Sequence, residues 1–209
     1  MTTPLPADAE TLFARLRDSL KDALGVSCNG QAQEGPDALA GVDPTMPVGE
    51  SAAGSGSEAA QAGSADAPAF IGIHTGGAWL AARLHAELGL SSPLGFLSSA
   101  FYRDDVQARG LSMRMQPTRI DFDVNGRDIV LVDDILHTGR TIRAALNEIF
   151  DYGRPARVRL AVLIDRGERE LPVQPDHVGT RLVLQPGEKL ALSQRTNGMF
   201  ELRVETVQA

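Results

Sequence analysis

Between Asp8 and Leu24, apolar residues recur at three- and four-residue steps: Leu12, Phe13, Leu16, Leu20 and Leu24. That spacing lines one face of a helix. Asp8 is placed to cap its start and Gly25 to stop it. Farther along, the pattern changes to short unbroken apolar runs. AFIGIHT from Ala69, DIVLVDD from Asp128 and VRLAVLID over 158–165 each read as a buried strand. After a Gly76-Gly77 turn, AWLAARLHAEL predicts a helix, with Leu80, Leu84 and Leu88 four residues apart. A third helix is expected from Thr138 to Tyr152, ended by Gly153 and Pro155. LGFLSSAFYR reads as another strand, and MRMQPTRIDFDV as an exposed hairpin region with Pro117 at or near a sheet edge. RGERELPVQPDHVGTRL reads as loop-rich, followed by two short strands, RLVLQ and MFELRVE. Strands that alternate with helices define an α/β fold with a mostly parallel sheet.

The segment between the first helix and the first strand has another composition. Residues 28–67 are rich in Gly, Ala, Ser and Pro and poor in large apolar side chains. Such a stretch cannot bury enough surface to offset the entropy of ordering, about 1–2 kcal/mol per residue for the backbone alone. It is expected to be a disordered insertion. One amphipathic helix is not a domain, so residues 1–27 are expected to dock on the core built from 68–209.

The chain has 209 residues, of which 43% are hydrophobic and 22% charged, as in a globular domain with a substantial core. The net charge of −7 argues against polyanion binding by bulk charge. The single cysteine, Cys28, leaves no intramolecular disulfide and no cysteine-based zinc site. The N-terminal MTTPLPADAE lacks the features of a signal peptide, and no apolar run approaches the roughly 20 residues that span a bilayer. A cytoplasmic protein with no membrane association is the expectation.

The most informative stretch is DIVLVDDILHTGRT, residues 128–141. An apolar run meets two adjacent carboxylates, Asp133 and Asp134, followed by a small-residue turn that opens a helix. In open parallel sheets, ligands sit at the carboxyl ends of the strands. A helix N-terminus offers unpaired N–H groups and partial positive charge, which suit a phosphate. Gly139 permits close backbone approach, and Thr138 and Thr141 add hydroxyl donors. Paired carboxylates can accept hydrogen bonds from a ribose diol. A sugar phosphate satisfies both halves. The string contains neither GxxxxGK[ST] nor GxGxxG, so it is not a Walker loop or a Rossmann fingerprint.

VLVDDILHTGRT resembles the phosphoribosyl-pyrophosphate signature of type I phosphoribosyltransferases. Together with FIGIHTGGAWLAARL, AFYRDD and GRPARVRLAVLIDRGERELPVQPDHVG, in that order, it resembles the pyrimidine operon attenuation regulator/uracil phosphoribosyltransferase family. The resemblance covers roughly 69–190. It implies a type I phosphoribosyltransferase fold: a mostly parallel twisted sheet flanked by helices, with a small hood. The implied reaction moves a phosphoribosyl group from phosphoribosyl pyrophosphate to uracil, giving UMP and pyrophosphate. Magnesium travels with the pyrophosphate, and no metal site made by protein alone is expected. An mRNA leader and a homodimer or higher homo-oligomer are implied as further partners. A sensor that binds UMP or phosphoribosyl pyrophosphate with little catalysis is compatible with the same residues.

Carried residue by residue, the resemblance gives the ribose hydroxyls to Asp133 and Asp134. It gives the 5′-phosphate to His137, Thr138, Gly139, Arg140 and Thr141. Pyrophosphate falls to His74, Thr75, Gly76 and Gly77, and a covering segment begins near Arg103 and includes Arg109. The base falls to Asp165, Arg166 and Gly167, and RNA contacts to Arg166 and Arg169. Gly76 stands where the family commonly carries an arginine, and a protonated His74 is the candidate substitute for its charge. Glu168, Gln174 and Thr180 stand where basic residues are common.

Overall fold

The computed structural model describes residues 3–26, 67–98 and 116–206. The insertion and the segment holding Arg103 and Arg109 lie outside these residues, apart from Ala67 at the insertion's edge. The first helix, α1 (Ala9–Leu24), is capped as the sequence anticipates: the Asp8 carboxylate accepts from the Thr11 amide at 2.8 Å, and Gly25 takes a left-handed conformation (φ 63°). Leu12, Phe13, Leu16 and Leu20 are fully buried.

Next come β1 (Ala69–Ile73), α2 (Gly76–Glu87), β2 (Leu94–Leu97), β3 (Asp128–Leu136), α3 (Arg140–Tyr152), β4 (Arg157–Asp165) and β5 (His177–Arg181). The described strands form a parallel sheet in the order β2-β1-β3-β4-β5. β6 (Glu188–Gln194) and β7 (Phe200–Thr206) pair antiparallel as a second, small sheet. One face of the main sheet packs Phe70, Val130, Val132 and Leu163 against α1 and α2, with Phe200 and Leu202 of β7 closing that cluster. The other face packs Ile71, Ile129, Leu131 and Val162 against Ile142, Ala145 and Ile149 of α3. Alternation of side chains along strands covered on both faces explains why these runs are apolar throughout.

Close packing depends on glycine at two places. A Cβ on Gly179 would lie 2.6 Å from the Leu163 carbonyl oxygen and 2.8 Å from that of Leu12, so α1 rests directly on the sheet there. A Cβ on Gly77 would lie 2.4 Å from the Val132 oxygen, which fixes the start of α2 against β3.

Four expectations change. Gly76 and Gly77 are the first residues of α2 rather than a turn before it. The third helix, α3, begins at Arg140, because Gly139 takes φ 92° and interrupts it. RLVLQ is not a strand beyond Arg181. The edge strand is HVGTR, within the segment read as loop, and EKLALSQ pairs with β7 instead. Finally, MRMQPTRIDFDV, described from Gln116, shows one antiparallel bridge, Phe96 to Arg119, with Ile120 and Val124 buried. Arg119, two residues after Pro117, bonds Phe96 of β2, an edge of the sheet.

Candidate functional site

The strand order reverses between β1 and β3, which makes their carboxyl ends a topological switch point. β1 pairs with β3 as far as Gly72 with Val132. β3 does not stop at its acids: it runs on to Leu136, paired with β4 through Leu136 and Asp165. Asp133 and Asp134 therefore sit inside a strand, just past its last pairing with β1. Both are buried, 3% and 8% exposed. The Asp133 carboxylate accepts from the Asp134 amide at 3.0 Å, which turns that acid back on the backbone.

The loop after β1 packs against this pair. A Cβ on Gly76 would lie 2.3 Å from Asp134 Oδ2 and 2.5 Å from its Cγ. The carboxylate occupies the space a side chain would need. The His74–Thr75 peptide is cis. The His74 amide donates to the Leu97 oxygen at 2.8 Å, and its ring lies 5.6 Å from that of Phe96. Burial pushes the His74 imidazole below its ordinary value, which favours its neutral form.

The loop after β3 holds Thr138, which is buried, and Gly139, whose left-handed conformation suits only glycine well. The Arg140 amide donates to Thr138 Oγ1 at 3.3 Å. Thr141 lies in the first turn of α3, half-buried. His137 Nε2 is 3.1 Å from Glu168 Oε2, and Arg140 Nε donates to Glu170 Oε2 at 2.8 Å. These two glutamates were not anticipated as neighbours of the loop 137–141. Their signal is the acidic spacing of D-R-G-E-R-E, which the register of β3 and β4 brings alongside the loop.

Asp165, Arg166, Gly167 and Arg169 line a surface depression of about 300 Å³ with Gln174, Arg181, Leu182 and Val183. Arg166 Nε is buried with no hydrogen-bond partner, and its Nη2 lies 3.7 Å from Glu168. Arg169 points inward: its Nη2 donates to Asp165 Oδ1 at 2.5 Å and its Nη1 to the His137 oxygen at 2.7 Å. That direction differs from the outward RNA contact the resemblance implies for it. Among the described residues, no group of three or more His, Cys, Asp or Glu side chains converges on a possible metal position. The hard carboxylate oxygens of Asp133 and Asp134 fit a magnesium ion that arrives on a diphosphate, since Mg²⁺ often keeps its waters and takes one or two carboxylates. No helix among the described residues is long and apolar enough to cross a membrane.

A parallel sheet with two buried acids and a glycine-hinged loop at its switch point is the arrangement that the phosphoribosyltransferase resemblance implies. The model of the phosphoribosyl transferase domain matches residues 56–184. The Bifunctional protein PyrR of Nitrosococcus oceani is 56% identical over 128 residues, 60% of this chain and 72% of that protein. The protein of the same name from Ralstonia nicotianae is 56% identical over 127 residues, 61% of this chain and 72% of its own length. The chain belongs to the type I phosphoribosyltransferases and, within them, to the pyrimidine operon attenuation regulator/uracil phosphoribosyltransferase family. Among solved structures, a hypoxanthine-guanine phosphoribosyltransferase from Bacillus anthracis shares the fold with a TM-score of 0.55 at 14% identity, covering 91% of this chain and 88% of its own. The hypoxanthine phosphoribosyltransferase of Trypanosoma cruzi gives 0.51 at 17% identity, covering 86% of this chain and 81% of its own.

Proposed function

We propose that the protein transfers a phosphoribosyl group from phosphoribosyl pyrophosphate to uracil, yielding UMP and pyrophosphate, and that it regulates pyrimidine biosynthesis genes. The observation that carries this reading is the burial of Asp133 and Asp134 between the two loops at the β1/β3 switch point. The acids accept hydrogen bonds from the ribose hydroxyls. Their charge also opposes the positive charge that grows on the anomeric carbon as pyrophosphate departs. The loop 137–141 takes the 5′-phosphate at the start of α3, where backbone N–H groups lack helical partners. Uracil lies at the depression beside Asp165, Arg166 and Gly167, where the buried Arg166 Nε gains a partner. Asp133 and Asp134 would help to hold magnesium that comes with the diphosphate, and the ion would supply positive charge to the leaving group. The functional unit is a homodimer or higher homo-oligomer in the cytoplasm.

One observation favours a second reading. Neither Gly76 nor the neutral His74 brings a cation to the pyrophosphate loop. A regulator that senses UMP or phosphoribosyl pyrophosphate, acting through RNA or a protein partner with little turnover, would need no such charge. A panel of uracil, cytosine, hypoxanthine and guanine, each with magnesium phosphoribosyl pyrophosphate, separates the readings by pyrophosphate release. Release with uracil alone is expected. Release with a purine instead would refute the base assignment, and release with none would favour the sensor.

A further inference from the structure

The loops after β3 and β4 leave the sheet side by side, because Leu136 pairs with Asp165. Three consecutive carbonyls of the first loop are held by the second. The Leu136 oxygen accepts from the Arg166 amide at 2.8 Å. The His137 oxygen accepts from Arg169 Nη1 at 2.7 Å. The Thr138 oxygen accepts from the amides of Glu170 and Leu171 at 3.1 and 3.2 Å. A trans peptide is planar, with its C=O and N–H on opposite sides. Fixing the carbonyls of His137 and Thr138 toward β4's loop therefore directs the N–H groups of Thr138 and Gly139 the other way.

The guanidinium that makes this grip is itself fixed. Arg169 Nε donates to the Val173 oxygen at 3.0 Å, Nη1 also to the Gly167 oxygen at 2.9 Å, and Nη2 to Asp165 Oδ1 at 2.5 Å. Asp165 Oδ1 also accepts from the Gly167 amide at 2.9 Å, and its side chain is 7% exposed against 13% for Arg169. A planar fork can serve a carboxylate and several carbonyls at once; a lysine ammonium on a flexible stem cannot reproduce that geometry. We infer that Arg169, anchored on Asp165, is a positioning residue that presets the amides of the phosphate loop and so sets affinity for the ligand's 5′-phosphate. The inference rests on the reading of 137–141 as the phosphate loop.

The test compares UMP with uridine by calorimetry on the full chain. Both share base and ribose, so the ratio of their affinities isolates the phosphate. Wild-type protein is expected to prefer UMP. Arg169→Gln is expected to lower that preference about tenfold or more, and Arg169→Lys by about fivefold. Amide exchange at Glu170 and Leu171 without ligand is expected to quicken about tenfold in Arg169→Lys, which also serves if the glutamine variant fails to fold. An unchanged preference with unchanged exchange, or equal losses for both ligands, overturns the inference while the site assignment stands. A wild type that shows no preference for UMP overturns the phosphate-loop reading, and the inference with it.

Discussion

Gly76 and Asp134 compete for one position: a Cβ on the glycine would sit 2.3 Å from the Asp134 carboxylate. The missing side chain is thus a packing requirement of this site. Gly76→Ala is expected to push the carboxylate from its place and weaken UMP binding about tenfold, with a small change in stability. Gly77→Ala meets the Val132 backbone oxygen at 2.4 Å, which cannot step aside. It is expected to cost about 1–3 kcal/mol of stability. Calorimetry and urea unfolding on both variants check the contrast. Equal stability losses would mean that Asp134 is not the group in the way.

Asp134→Asn preserves shape and removes charge. It is expected to weaken binding of UMP or phosphoribosyl pyrophosphate by at least about 1 kcal/mol, the worth of a charge-assisted hydrogen bond. Unchanged affinity would remove Asp134 from the ribose site.

Arg83 ties three elements together. It donates to both Glu10 oxygens at 2.8 and 2.7 Å and to Glu87 at 2.8 Å, and lies over the rings of Phe13 and Phe200 at 4.3 and 5.1 Å. Glu10 in turn accepts from the Phe200 amide at 2.6 Å. Partial exposure screens the charges, so Arg83→Ala is expected to cost about 2 kcal/mol. The readout is the urea midpoint. A loss close to zero would show that α1 and the small sheet dock by apolar contact alone.

Two histidines make stability depend on pH. Burial holds the imidazoles of His177 and His74 below the ordinary value of 6.5; at His177, Asp176 opposes this and Arg159 adds to it. His177 Nδ1 also lies 3.0 Å from Ser19 Oγ, joining β5 to α1. The unfolded chain binds these protons more readily. The stability from neutral His177 is therefore present above about 6.5 and lost as pH falls below it. Unfolding midpoints at about pH 7.5 and about pH 5.5 should differ more for wild type than for His177→Asn. Equal differences would exclude His177 as a source.

Much of this was legible in the sequence because it depends on local pattern. The α1 stripe, its Asp8 cap and the buried runs of β1, β3 and β4 follow from periodicity and capping chemistry. The acids and Gly139 stood out by their chemistry, although β3 runs past the acids to Leu136 through its pairing with β4. HVGTR was missed because an edge strand with a central glycine has little apolar signal, and its place depends on Gly179 meeting α1. The inward direction of Arg169 was missed for a different reason. Its partners, His137 and Asp165, come together only through the register of β3 with β4, and no spacing along the chain reveals that register.

The most direct test of the account is UMP formation from labelled uracil and magnesium phosphoribosyl pyrophosphate by the full chain, beside Gly76→Arg. Turnover by the natural protein and its loss in the variant is the expected result, since an arginine would displace Asp134. An inactive natural protein with an active arginine variant would contradict it: the space at Gly76 would then be open, and the missing cation would make the natural protein a sensor rather than a transferase.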